Sequence, residues 1–118
     1  MSKDIQKKLA AIMFTHLVEY AEYSKDDKKF AKKVLKEHYK IINEIVPLFN
    51  GNIIKHLDDK TFVEYLSATD AVNAALALHL QLKKENAQNP STFQMNLRIG
   101  IHMGEVYQKN DDLFGEGV

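Results

Sequence analysis

Apolar and polar residues alternate without exception from Phe93 to Met103, and this pattern constrains the fold more than any other feature of the chain. Successive side chains of a β-strand point to opposite faces of a sheet, so the period of two predicts a strand with one buried face. The apolar positions are Phe93, Met95, Leu97, Ile99, Ile101 and Met103. Such a strand needs neighbouring strands and a covering layer, which favours a sheet packed on one side.

Other segments predict the neighbouring strands. Residues 9–15 form a continuous apolar run of strand length. Residues 52–57 and 61–65 are typical of a hairpin, whose polar turn is Asp58, Asp59 and Lys60. Towards the end of the chain we expect a strand over 105–108 joined through Gly104, a turn over 109–112 and a loop over 113–118.

Two helices are predicted between these strands. Ser24 followed by Asp27 resembles a helix cap, and the apolar spacing then runs to Phe49, with the last turn weakened by Pro47 and ended by residues 50–51. The lysine-rich face over 25–40 is expected to be solvated. Residues 67–70 cap a second helix, followed by a loop over 86–92. Its predicted apolar face is Ala71, Val72, Ala75, Leu78, His79 and Leu82. The order β-α-ββ-α-ββ predicts an α+β fold with a mostly antiparallel sheet and helices on one face.

Composition sets wide limits on function. A length of 118 residues fits one domain, 1–118, which is large enough for a single core but small for a complete enzyme, so we expect a partial domain. The numbers of basic and acidic residues are equal at 16 each, which gives no indication of a nucleic-acid partner. The absence of cysteine excludes disulfides and thiolate chemistry. No apolar run reaches the roughly 18–20 residues that cross a membrane and the first residues form no signal peptide, so we expect no membrane segment here and a cytoplasmic location.

Five segments in order carry a resemblance to a known family. They are KLAAIMFT at 8–15, GNIIK at 51–55, ATDAV at 68–72, LRIGIHMGEV at 97–106 and DLFGEGV at 112–118. In sequence and spacing the chain resembles the class III nucleotidyl cyclases, of the bacterial adenylate/guanylate cyclase type. The resemblance implies a ferredoxin-like layer of the cyclase-homology type. It also implies conversion of ATP to cyclic AMP and pyrophosphate in signal transduction, at a site shared between the two domains of a head-to-tail dimer.

Family chemistry implies two aspartates that hold two divalent metals, Mg²⁺ or Mn²⁺. The first, in a pattern like F-T-D-I-V-G-F, falls on His16, and the second, in a pattern like K-T-I-G-D-G, falls on Asp59. An imidazole supplies no negative charge and is a poorer ligand than oxygen for Mg²⁺. The glycine of the first pattern falls on Glu19, and the glycines flanking the second aspartate fall on Asp58 and Lys60.

The resemblance also implies a nucleotide site. Lys55 matches the adenine-reading lysine and Asp112 matches its aspartate partner. The transition-state asparagine and arginine are expected just after Val118. Without the resemblance, Lys55 is equally a strand lysine that extends to water and Asp112 a loop carboxylate.

These matches lead to one hypothesis and one alternative. The hypothesis is a catalytically impaired cyclase domain that pairs with itself or with another cyclase domain and senses an adenine nucleotide. The alternative is a weakly active, Mn²⁺-dependent adenylate cyclase whose parent chain continues past Val118. Since the family's next helix covers the sheet, we expect exposed apolar surface at Met95, Leu97 or Ile99 and a non-monomeric protein.

A different metal site is a further alternative. His16, His56, Asp58 and Asp59 are all predicted near the ends of neighbouring strands. Two imidazoles with a carboxylate suit Zn²⁺ or another transition metal.

Overall fold

The computed structural model describes residues 5–88, 94–109 and 112–115. Within them the sheet has five strands in the order β2-β3-β1-β4-β5, and every neighbouring pair is antiparallel. The strands are β1 (Ile5–Leu17), β2 (Asn52–Leu57), β3 (Lys60–Tyr65), β4 (Leu97–Lys109) and β5 (Asp112–Gly115). The helices are α1 (Tyr20–Asp26), α2 (Lys28–Ile45), which continues into a 3₁₀ turn (Val46–Phe49), and α3 (Ala68–Gln88).

The helices pack on one face of the sheet, as the sequence predicted. On β1, Met13 and Leu17 belong to the main core, which they share with Ile42 of α2 and Leu78 of α3. The alternate residues of β1 point to the opposite face. The α+β class with helices on one side of an antiparallel sheet is therefore confirmed.

The face of the sheet opposite the described helices carries a second, smaller apolar cluster. Ala10, Ile12 and Val106 are fully buried there, with Ile54 and Phe62 packed against them. Although β2 and β5 lie at opposite edges of the sheet, they come into contact, so the sheet curls over this face. Curling explains how residues without a covering helix become buried.

The first predicted helix begins later than expected and ends where expected. Ser24 lies inside α1, and the cap of α2 is Asp27, whose Oδ1 accepts from the Phe30 backbone N–H at 3.0 Å. The prediction of Ser24 as the cap was therefore wrong, because the preceding residues form a helix of their own. At the other end, Pro47 occupies the 3₁₀ turn and Asn50 closes it with a left-handed φ of 63°. The predicted helix end at residues 50–51 is confirmed.

The apolar face of α3 is rotated from its predicted position. Its buried residues are Ala71, Ala74, Leu78 and Leu82, whereas Val72 and His79 are exposed. The helix also continues through Asn86 to Gln88, where a loop was predicted. Asn86 explains this continuation, because its side chain bonds both the N–H and the carbonyl of Met95 at 2.8 Å and so joins the helix to the chain entering β4.

The predictions for the last part of the chain were partly wrong. β4 is one strand from Leu97 to Lys109, where two strands were predicted, because β1 pairs with it along its whole length. β5 occupies part of the predicted turn and loop. The predicted strand is confirmed over 97–103, and its apolar residues are buried or partly buried at Leu97 and Ile99. Phe93 lies outside the described residues, and Gln94–Asn96 precede the strand.

The expected exposed surface lies elsewhere on the sheet. Leu97 is buried, and Met95 and Ile99 are partly buried against the main core, so the prediction that these residues are uncovered was wrong. On the same face, Ile101 is 38% and Met103 is 44% exposed. The reason is that α3 covers the start of β4, and the described helices leave its middle open.

Candidate functional site

The structure brings His16 and Asp59 together, although 43 positions separate them. His16 lies near the end of β1, opposite Lys60 of β3 and Arg98 of β4. Asp59 lies in the turn between β2 and β3. The His16 Nε2 and an oxygen of Asp59, Oδ2, are 3.0 Å apart, and the two side chains are 29% and 14% exposed. This is a partly buried hydrogen bond, which becomes an ion pair when the imidazole is protonated.

The other groups of Asp59 also have partners. Lys60 Nζ lies 3.8 Å from Oδ1, and the backbone oxygen of Asp59 accepts a 2.7 Å hydrogen bond from the Leu17 N–H. Each carboxylate oxygen therefore faces a nitrogen donor of the chain itself. The contact with His16 is of hydrogen-bond length, whereas Lys60 forms a longer ion pair from a side chain that is 46% exposed.

The alternative transition-metal site does not form. His56 turns away from the other three residues, with Nδ1 2.8 Å from Thr61 Oγ1 and Nε2 3.3 Å from Asn43 Oδ1. In the part of the chain that the structure describes, no group of three or more His, Asp or Glu side chains is placed to hold a metal ion. The prediction that His16, His56, Asp58 and Asp59 converge was therefore wrong, because His56 packs towards α2.

Two residues beside the His16–Asp59 pair have a left-handed backbone. Glu19 has φ of 69° and Asp58 has φ of 53°. Both are positions where the cyclase patterns have glycine, the residue that adopts this conformation at least cost. The backbone path typical of glycine is thus kept although the side chains have changed.

Glycine at these positions is expected to stabilise the fold. Because a side chain in the left-handed region costs about 1 kcal/mol, Glu19→Gly should raise the free energy of unfolding by up to about that amount, and Asp58→Gly by less, since aspartate tolerates the region better. Urea denaturation measures the change. Glu37→Gly, in the exposed middle of α2, is the matched control and should instead lower stability by about 1 kcal/mol. Equal destabilisation by Glu19→Gly and Glu37→Gly would contradict the backbone argument.

Lys55 and Asp112 lie on strands that approach one another. A register shift in β2 between Ile53 and Lys55 places Lys55 opposite Phe62, with Nζ 5.6 Å from the centre of that ring. Asp112 begins β5, in register with Lys109, and its side chain lies outside the described part. Although β2 and β5 lie at opposite edges of the sheet, they are in contact with one another.

Sequence reasoning missed the side chains that join α2 to the hairpin. The Tyr39 hydroxyl donates a 2.6 Å hydrogen bond to the backbone oxygen of Asp58, and the Tyr39 ring lies against His56 with ring centres 4.2 Å apart. Burial lowers the pKa of His56, which favours its neutral form in this contact. The only sequence signal was two aromatic rings at 38–39, and these lay within a face predicted to be solvated.

Comparison with known proteins decides the family. The family described as Adenylate and Guanylate cyclase catalytic domain matches residues 3–116. The chain belongs to this family. A relative of this cyclase domain in Rhizobium meliloti (strain 1021), named "Putative adenylate cyclase 3", is 32% identical over 120 residues, which is the whole chain but 20% of the relative.

Solved structures agree with the cyclase fold. The adenylate/guanylate cyclase/hydrolase from Silicibacter pomeroyi has a TM-score of 0.86 at 20% identity, over 96% of this chain and 66% of that one. A bacterial light-regulated adenylyl cyclase has a TM-score of 0.87 at 14% identity, over 96% of this chain and 38% of that one. At these identities the likeness establishes the fold.

Among the described helices, none combines the length and the apolarity of a membrane span.

Proposed function

We propose that this chain is a catalytically impaired cyclase domain that pairs with a second cyclase domain and binds an adenine nucleotide without the family's two-metal centre. The observation that carries the proposal is the His16–Asp59 contact at 3.0 Å. Where the family pattern places two carboxylates, this chain places an imidazole against one carboxylate.

The residues present do not fit a two-metal site. Divalent metals in phosphoryl chemistry are held by carboxylate oxygens, whose charge offsets that of the ions. Here a metal at Asp59 would compete with His16 Nε2 for one oxygen and would meet the positive charge of Lys60 Nζ near the other. A neutral His16 adds no charge and a protonated one repels the metal. We therefore propose that His16 and Asp59 occupy the position of the family's metal centre and hold Mg²⁺ or Mn²⁺ weakly or not at all.

Nucleotide binding is proposed for the other half of the site. Lys55 and Asp112 match the adenine-reading pair, and the contact between β2 and β5 supports their acting together. A lysine and a carboxylate on two edge strands that meet offer the donor and the acceptor needed to bind the polar edge of an adenine base. The cytoplasmic location stays a prediction.

Exposed apolar side chains on the helix side of the sheet support pairing. Leu9, Ile101 and Met103 are all partly exposed there, on neighbouring strands. Apolar groups that share a face and remain in contact with water favour association. A second copy or another cyclase domain is the partner that the family implies.

Titration calorimetry with ATP, with and without Mn²⁺, tests the proposal. We expect the native chain to bind ATP with an affinity that Mn²⁺ does not change. His16→Asp is expected to gain a Mn²⁺-dependent increase of at least about tenfold, because it restores the second carboxylate ligand. The matched control is His102→Asp on β4, an exposed histidine opposite Ile12, which should gain none.

Two other outcomes would contradict parts of the proposal. Absence of ATP binding by both the native chain and His16→Asp would contradict the nucleotide-binding part and leave a pairing module. Rapid cyclic AMP formation by the native chain would contradict the impaired site.

One observation favours weak Mn²⁺-dependent cyclase activity as a second candidate. Glu19 and Asp58, which match glycines of the family patterns, have the left-handed backbone that glycine adopts at least cost. This candidate also needs the transition-state asparagine and arginine, which the resemblance places after Val118. Cyclic AMP formation by a longer parent chain with Mn²⁺, abolished by Asp59→Asn, would support it.

A further inference from the structure

The turn that carries Asp59 is tied to helix α2 from one side. The Tyr39 hydroxyl donates to the Asp58 backbone oxygen at 2.6 Å, close to the optimum for a hydroxyl donor. The ring of Tyr39 also lies 4.2 Å from the ring centre of His56, at an angle of 37°. One side chain therefore contacts both the last part of β2 and the turn that follows it.

A second set of contacts joins the same helix to the same hairpin. Asn43, one turn further along α2, lies 3.3 Å from His56 Nε2, and the opposite ring nitrogen is 2.8 Å from the buried Thr61 hydroxyl. These bonds fix the plane of the His56 ring. The Tyr39 ring packs against this fixed His56 ring.

The turn is held from the other side by β1. The Leu17 N–H donates to the backbone oxygen of Asp59 at 2.7 Å, and the Asp59 carboxylate meets His16. Between these two anchors Asp58 has a left-handed φ of 53°, a conformation that persists where surrounding contacts enforce it. A hydrogen bond to the carbonyl of that same residue is the contact best placed to do so.

We propose that Tyr39 is a positioning residue that fixes the Asp58–Asp59 turn and so keeps Asp59 against His16. The inference concerns the architecture of the site and does not depend on nucleotide binding. Its test uses no ligand, so its failure and the failure of the proposed function are distinguishable.

Amide hydrogen exchange, followed residue by residue by NMR, tests the role of Tyr39. The reporter is the Leu17 amide, because it is bonded directly to Asp59 in the turn. In Tyr39→Phe, which removes the hydroxyl and keeps the ring, we expect Leu17 to exchange about fivefold faster. The amides of Ile12 and Met13, in the middle of β1, should keep their native rates. Since the Tyr39 bond is exposed, water can satisfy the Asp58 carbonyl and the variant is expected to fold.

The set of amides that exchange faster distinguishes a positioning role of Tyr39 from a general contribution to the stability of the fold. A residue that contributes only to the stability of the fold would accelerate the most protected amides of β1 together, and that result would overturn the proposal. An unchanged Leu17 rate would overturn it as well. The matched control is Tyr107→Phe, an exposed tyrosine on β4 that pairs near the start of β1, and it should leave Leu17 unaffected.

Discussion

Lowering the pH from 7 to 4 is expected to remove about 3 kcal/mol from the free energy of unfolding through His38 alone. His38 lies on α2 and is fully buried. Its pKa is lowered from 6.5 to about 4, first by burial and then by the neighbouring His56, while the Leu35 backbone and Asp59 act in the opposite direction. Neither ring nitrogen has a hydrogen-bond partner of good geometry in the described part of the chain.

The direction of this pH effect follows from the protonation of His38 in the folded and in the unfolded chain. Above pH 6.5 His38 is neutral in the folded and in the unfolded chain, so its contribution is present in full. As the pH falls from 6.5 to about 4, the unfolded chain binds a proton at this residue and the folded chain does not. Stability is therefore lost across this window. The difference between the two pKa values sets the size of the loss at about 3 kcal/mol.

Urea denaturation of the native chain and of His38→Leu at pH 7, 5.5 and 4 measures this contribution. Leucine fills the buried site without a titrating group, so the variant should lose about 3 kcal/mol less than the native chain over the same interval. His79→Leu, which replaces an exposed histidine of α3, serves as control and should follow the native pH dependence. If the native chain and His38→Leu lost the same free energy of unfolding between pH 7 and 4, His38 would bind a proton as readily in the folded chain as in the unfolded chain. That result would contradict the prediction.

Gly51→Ala is expected to lower the free energy of unfolding by about 2 kcal/mol, within the range seen for overpacked cores. A Cβ at this position would lie 2.5 Å from Val46 Cγ1 and 2.7 Å from Tyr65 Cε2. Val46 and Tyr65 are themselves buried, and burial also raises the pKa of the Tyr65 phenol. Because both neighbours are enclosed by the core, neither can move aside freely.

Gly100→Ala is the matched control for this prediction. Apart from Gly100 itself and its two chain neighbours, no atom of the described residues lies within 4 Å of a Cβ built on this residue of β4. Alanine there should be neutral or should stabilise by about 0.5 kcal/mol, because glycine weakens a strand through its backbone entropy. Thermal and urea unfolding of both variants measure the contrast. Equal stability of Gly51→Ala and Gly100→Ala would mean that the chain around Gly51 relaxes at little cost.

Local pattern was enough to predict most of the fold. The alternation around Ile99 and the apolar run of β1 both mark strands, since each follows from the geometry of a single strand. The phase of α3 was predicted less well, with Val72 assigned to the buried face and found exposed. Small residues such as Ala74 fit a close helix-to-sheet contact, and hydrophobicity alone did not favour them. The length of β4 depended on its partner β1, which no local window contains.

His38 and Tyr39 show where sequence reasoning about the site stopped. Both lie in a lysine-rich helix, and the lysines indicated a solvated surface. The helix is in fact amphipathic. His38 lies on its buried side, and Tyr39 lies at the edge of that side, where it packs against the β2–β3 hairpin. A histidine on the apolar side of a helix gives no signal of its partner, because the partner comes from a distant segment.

The sequence by itself determined the type of most strands and helices, although not of α1 or β5. It also determined the membership of the cyclase family and the presence of His16 where the family pattern has an aspartate. Only the tertiary structure decided that His16 meets Asp59, that His56 turns to α2, and that α2 holds the turn. The physical reason is that residue spacing fixes the face of an element on which a side chain lies. Which distant groups reach that face depends on how the elements pack, and the chemistry of the site depends on that packing.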